Sequence, residues 1–174
     1  MPTFIDTLVS RTSCRNYSDR MPSHEDLEAI CRAGTYAPTG KNTQCPLIVA
    51  VTNKAVRDRM SRLNAQVMGV DSDPFYGAPV VLLVLADKST GLTPVEDGSL
   101  VMGNMLNTAH ALGLGACWIN RAREVFASDE GKALLKELGI EGDYLGIGNC
   151  IVGYRSTPAT PPRPRKDGWI RWVE

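Results

Sequence analysis

The 174 residues predict a single domain in which helices and strands alternate along the chain. Two runs, Leu47 to Thr52 and Val80 to Ala86, are almost wholly β-branched or aliphatic, as expected of strands covered on both faces. The segments around them carry apolar residues at helical spacing. One of these, Glu96 to Leu112, is apolar on most sides and so reads as a central, buried helix.

The elements follow in order. Residues 3 to 10 read as a short helix that stops before Arg11. Ser23 offers an N-cap for a helix through about Tyr36, with Leu27, Ile30 and Cys31 on one face. Ala37 to Asn42 is a loop, because Pro38 disfavours a helical Ala37 and Gly40 permits positive φ. A charged helix over about residues 53 to 68 separates the two aliphatic strands. Gly113 ends the long helix, since glycine accepts the left-handed cap. A strand, Ala116 to Ile119, comes next, then an amphipathic helical stretch through about Leu138, then a strand over Tyr144 to Tyr154 interrupted by Gly146 and Gly148. Four of the seven residues from Pro158 to Pro164 are proline, so that segment is extended and stiff. Trp169 to Val173 regains strand-like character, either reaching another surface such as a partner subunit or folding back on its own sheet.

Composition excludes several classes. Apolar residues make up 43% and charged residues 22%, the balance of an ordinary soluble protein. A formal net charge of zero argues against nucleic acid as the main partner, since that affinity rests on many cationic phosphate contacts. The run Ala78 to Ala86 is too short to span a bilayer, and the N-terminus has no basic region followed by an apolar run, so neither a membrane segment nor a signal peptide is expected. Five cysteines, at 14, 31, 45, 117 and 150, are scattered and never spaced Cys-x-x-Cys; free thiols in a reducing cytoplasm are expected. His24 and His110 have no ligand-spaced neighbours, so no metal is expected. Gly113-Leu114-Gly115 follows a helix and lacks a third glycine, which excludes a dinucleotide fingerprint, and no P-loop occurs. Cys14 and Cys117 have no evident base nearby, so any reactive atoms belong to a bound cofactor.

Four arginines carry the functional signal. Arg11-Thr12-Ser13-Cys14-Arg15 and Arg163-Pro164-Arg165 are both set among turn formers. In extended backbone, alternate side chains point the same way, so each segment can present two guanidiniums on one side. A phosphomonoester carries about two negative charges, and guanidinium meets it with a bidentate fork. Taken singly, each pair is equally an ordinary set of solvated surface cations.

Four segments in order resemble the nitroreductase family of FMN-dependent oxidoreductases: Arg11 to Tyr17; Ala37 to Pro46; Gly103 to Ile119; and Ile151 to Tyr154 with the proline-rich arm and Arg163-Pro164-Arg165. The resemblance covers nearly the whole chain, residues 1–174, with 155–174 as the arm. It implies an α+β fold with a mostly antiparallel sheet flanked by helices. It also implies an intertwined homodimer with exchanged C-terminal arms, two FMN sites at the subunit interface, and Glu96 to Leu112 as the central helix.

Carried over by position, Arg11 and Ser13 meet the FMN phosphate, and Arg15 reaches the ribityl chain or pyrimidine edge. Pro38, Thr39, Gly40 and Asn42 border the flavin from the other subunit, and Arg163 and Arg165 close over the phosphate. Trp118 to Arg121 lie along the ring, with a backbone N–H near Asn120 or Arg121 donating to flavin N5. The family's usual Gln-Pro-Trp is here Gln44-Cys45-Pro46, and Thr39 stands where serine is commoner. The implied activity passes electrons from NADH or NADPH to nitroaromatics, quinones or free flavins in ping-pong fashion, with no side-chain acid or base. Alternatives are a flavin-binding protein without turnover and a dehalogenating or flavin-fragmenting relative. Residues 71 to 77, with Phe75 and Tyr76, are either part of a substrate rim or ordinary packing beside a strand.

Overall fold

The computed structural model describes residues 3–174. The first two residues of the expected domain, and with them the start of the segment read for a signal peptide, lie outside the described residues. The elements run α1 (Phe4–Ser10), α2 (His24–Thr35), β1 (Pro46–Val51), α3 (Lys54–Met68), β2 (Val80–Asp87), α4 (Pro94–Ala111), β3 (Gly115–Ile119), α5 (Ala122–Ala127), α6 (Asp129–Glu137) and β4 (Tyr144–Gly153). All strand pairs are antiparallel, in the order β1-β2-β4-β3.

Side-chain alternation along β2 explains the aliphatic run. Val81, Leu83 and Leu85 face a core shared with Met60 and Leu63 of α3, Phe126 of α5 and Leu134 of α6. Val80, Leu82 and Val84 face the opposite core, with Ile30 of α2 and Val101, Met102 and Met105 of α4. Residues Val80 to Ala86 are all 0% exposed, so helices cover an antiparallel sheet on both faces. Each buried aliphatic side chain stabilises the fold by roughly 1.5–3 kcal/mol, which makes β2 the spine of the domain.

The helix starts are encoded locally. Thr3 and Asp6 form a reciprocal capping box on α1, and Ser23, Asn53 and Ser128 cap α2, α3 and α6. The amphipathic stretch after β3 is two helices, because Ser128 takes an extended conformation (φ −73°, ψ 158°) and restarts the chain. The glycines of β4 permit close approach: a Cβ on Gly146 would lie 2.1 Å from the Ala122 carbonyl oxygen, where α5 begins against the sheet. A register shift occurs at the same place, between Val84 and Leu85 of β2.

Two expectations are corrected, and the places of His110 and Phe75 are settled. Trp169 to Val173 forms no strand; the segment is turn and coil, with Trp172 84% exposed. A strand needs a neighbour's edge, and within this chain the arm reaches none. Helix α4 is central but not covered all round, since Val95 and Leu100 stand exposed on the side away from the sheet. His110 lies in the last turn of α4 and is half-buried, hydrogen-bonded to Ser10 and not to the core. Phe75 is 0% exposed and belongs to the core, while Tyr76 is exposed.

Candidate functional site

Residues 11 to 17 leave α1 in extended form and run beside the start of β3. The Cys14 N–H donates to the Ala116 carbonyl at 2.9 Å, and Tyr17 pairs with Arg155 just past β4. Cys14 is buried against Gly115, while Ser13 and Arg15 are exposed and Arg11 is half-buried. Alternation is clear only around Cys14: Arg11 and Thr12 are both half-buried, and Arg15 and Asn16 are both exposed. Helix α4 ends at the same corner, where His110 Nε2 and Ser10 Oγ are 2.9 Å apart. Ser10 Oγ also lies 2.6 Å from the Asp6 carbonyl; when its single hydrogen goes there, His110 Nε2 is the donor of the pair. Burial holds His110 below the usual histidine range, helped by the positive charges of Arg155 and Arg11. Arg155 crosses Gly115 and donates from Nη2 to the Thr12 carbonyl at 2.7 Å. The ion pairs among the described residues include none of Arg11, Arg15 and Arg155.

The loop after α2 meets the other end of α4. Asp97, 2% exposed, accepts from the Gly40 N–H at 2.9 Å and the Thr93 hydroxyl at 2.9 Å, and from the Cys45 thiol at 3.4 Å. Burial, with the Asp97 carboxylate beside it, pushes the Cys45 thiol up, so it donates as neutral S–H. The Gln44 N–H donates to Thr39 Oγ1 at 3.1 Å. Lys41, Asn42 and Gln44 have φ of 50°, 57° and 53°. Asparagine tolerates this region, whereas lysine and glutamine do so at a cost of roughly 1–2 kcal/mol each. Backbone strain of this kind concentrates where a ligand or partner uses the loop. A cleft of about 320 Å³ opens beside it, bordered by Thr39, Gln44, Pro46 and Val101.

At the far end of β3, Trp118 is half-buried, Asn120 exposed, and Arg121 left-handed at φ 73° as it starts α5. Asn64 of α3, 0% exposed, holds this turn: its Nδ2 donates to the Asn120 carbonyl at 2.8 Å and its Oδ1 accepts from Arg121 Nε at 2.9 Å.

The profile of the Nitroreductase family matches residues 8–154. The chain belongs to this family. A provisionally named NADH dehydrogenase/NAD(P)H nitroreductase of Archaeoglobus fulgidus is 30% identical over 171 residues, covering 96% of this chain and 90% of that protein. Among solved structures, the nitroreductase with bound FMN from Bacteroides fragilis superposes with a TM-score of 0.90 at 25% identity, covering 100% of both chains. The nitroreductase with bound FMN from Desulfitobacterium hafniense gives 0.88 at 26% identity, again over 100% of both. The nitroreductase fold, with its antiparallel sheet flanked by helices, is therefore the fold of this chain.

Within one chain of this nitroreductase fold, Arg11, Ser13 and Arg15 gather beside the start of β3, and Trp118, Asn120 and Arg121 stand at its end. Pro38, Thr39, Gly40 and Asn42 are elsewhere: they meet α4 near Asp97, and Arg11 meets it near His110, with about 20 Å of helix between. Arg163 and Arg165 are exposed on the arm, which is tied to the body through Ser156, whose N–H and hydroxyl reach Asn16. The three buried side-chain polar atoms without a partner among the described residues are Thr12 Oγ1, Thr43 Oγ1 and Trp118 Nε1. They fall in three of the four site segments, the arm holding none, and Trp118 Nε1 faces the backbone of Gly148 in β4. Asn64, Asp97 and Arg155 escaped the sequence reading. Only Asp97, an acid inside an apolar helix, left a signal there.

Proposed function

We propose that this chain is an FMN-dependent oxidoreductase that passes electrons from NADH or NADPH to nitroaromatics, quinones or free flavins. One observation carries it: Arg11 and Arg155 converge on the His110 corner without a carboxylate partner among the described residues. Such a cluster is suited to a phosphate monoester. Family membership and the FMN bound in similar solved structures support that phosphate being FMN's.

FMN, when bound, would supply the redox chemistry that links NAD(P)H to the acceptor in ping-pong fashion. The protein's part is to bind and orient. Arg11 and Ser13 hold the phosphate, and Arg15 sets a cation toward the ribityl chain or the pyrimidine edge. The strand β3 leads to the Asn120–Arg121 turn, whose backbone N–H would be the donor for the flavin N5, with Trp118 as the residue that would lie along the ring. The strained loop bearing Pro38, Thr39, Gly40 and Asn42 borders the ring from a second copy, and that copy's arm brings Arg163 and Arg165 over the phosphate. No side chain serves as acid or base.

A homodimer answers the separation of the two site segments along α4. An antiparallel, two-fold pairing of α4 helices would set the Asp97 end of one copy beside the His110 end of the other. Phe4 (74% exposed) and Ile5 of α1, Leu100 of α4, and Trp169 and Trp172 of the arm are large apolar groups left uncovered in a single chain, and such a surface suits burial against a partner.

The test is spectroscopic. The purified protein should be yellow, and anaerobic mixing with NADH or NADPH should bleach the flavin band. Persistent colour with both nucleotides would remove the enzymatic reading, and a colourless protein with no FMN-dependent rise in Tm would remove the cofactor. Arg11→Ala and Arg165→Ala should each weaken FMN binding more than about tenfold, a loss of about 1.4 kcal/mol, while the dimer stays folded. Wild-type affinity in both would move the phosphate elsewhere.

A further inference from the structure

We infer that Arg155 is a second guanidinium for the phosphate monoester assigned to Arg11, so that the anion receptor is largely built within one protomer's body. The inference rests on the FMN proposal. Arg155 stands just beyond β4, paired with Tyr17, and its stem passes over Gly115, where a Cβ would come within 3.0 Å of the Arg155 Cγ. The glycine opens the passage. At the far side, Nη2 donates to the Thr12 carbonyl at 2.7 Å, the single hydrogen bond of this side chain among the described residues. That bond anchors the guanidinium against the Arg11–Ser13 turn and leaves its other N–H groups available.

A strut for the Thr12 carbonyl needs one donor and no charge. Here a full positive charge is placed half-buried in the same corner as Arg11, and both add to the burial that disfavours protonation of His110. Like charges gathered without a counter-ion repel, and reduced solvent access strengthens the repulsion. A phosphate dianion reverses the sign of every one of these interactions. Thr12 Oγ1, buried and without a partner beside the same turn, is a further polar group available there. The arrangement makes physical sense as an anion receptor and poor sense as packing.

The experiment compares FMN with riboflavin, which lacks the phosphate, by fluorescence titration of the wild-type dimer and of Arg155→Met and Arg155→Lys. Arg155→Met should weaken FMN about tenfold or more while leaving riboflavin unchanged, and Arg155→Lys should recover part of the loss. Equal weakening of both ligands would make Arg155 a structural strut and overturn the inference. Should the wild type bind FMN no better than riboflavin, the phosphate assignment to Arg11 fails as well; should it bind neither, the FMN proposal itself fails. Should Arg155→Met not fold, the wild type still decides through His110, identified by NMR against His110→Gln. Saturating FMN should raise the His110 pKa in the wild type and raise it less than half as much in Arg155→Lys at saturation, whereas riboflavin should not shift it. No response to FMN in the wild type would overturn the inference.

Discussion

Arg121 shows how a single residue is held against its own preference. A left-handed conformation costs a non-glycine residue roughly 1–2 kcal/mol, yet Arg121 adopts φ 73° at the start of α5. Asn64 offsets the cost with two hydrogen bonds, one to the Asn120 carbonyl and one from Arg121 Nε. Asn64→Ala should therefore destabilise the protein by about 2 kcal/mol, because it unpairs both groups where the Asn64 side chain is fully buried. Urea denaturation measures this, and a change below about 0.5 kcal/mol, within the range of ordinary surface substitutions, would show that the turn holds itself. Motif positions singled out Asn120 and Arg121 but said nothing of Asn64. It lies in α3, with β2, α4 and β3 in between, and nothing in the local pattern of α3 marks one asparagine as the partner of a distant turn.

Between elements, close approach and charge pairing set the tolerances. Gly146→Ala would drive a Cβ to 2.1 Å from the Ala122 carbonyl oxygen, where the obstacle is backbone and cannot rotate away. A loss of about 2–3 kcal/mol is expected, read as a fall in Tm; a neutral outcome would mean that α5 is free to slide. The connection from α3 to β2 is fixed by Asp73. Burial raises its pKa, but hydrogen bonds from Arg57, Ser61 and the Gly77 and Phe75 N–H groups outweigh that and hold it below the ordinary carboxylate range. Arg57, 8% exposed, also donates to the Ala78 carbonyl at 2.9 Å, tying α3 to the start of β2. A folded pKa below the unfolded value of about 3.9 means the stabilisation is present above that value and lost as pH falls through the folded one. Stability should thus hold above about pH 5 and decline below pH 4, and Asp73→Asn should be less stable near neutrality with a shallower acid decline. An unchanged acid slope would assign the decline to other carboxylates.

Over the whole molecule, the end of the arm and Leu100 of α4 stand exposed among the described residues. Trp169, Ile170, Trp172 and Val173 are each at least 70% exposed. Removing residues 157 to 174 should weaken self-association in sedimentation experiments and lower FMN affinity together, since the arm is proposed both to clasp the second copy and to carry Arg163 and Arg165. An unaltered dimer with weakened FMN binding would separate those roles.

The sequence alone determined helices α1 to α4, the helix ends at Ser23 and Gly113, and the strands β1 to β4 to within a few residues, because periodicity and capping chemistry depend on near neighbours. It also supplied the ordered motifs that mark the family. Only the tertiary structure decided that Trp169 to Val173 pairs with no strand of its own chain, and that one end of α4 meets Arg11 while the other meets Gly40. It alone brought Asn64, Asp97 and Arg155 to the site. These are matters of which surfaces meet across long stretches of chain, and local preference carries no record of a distant partner.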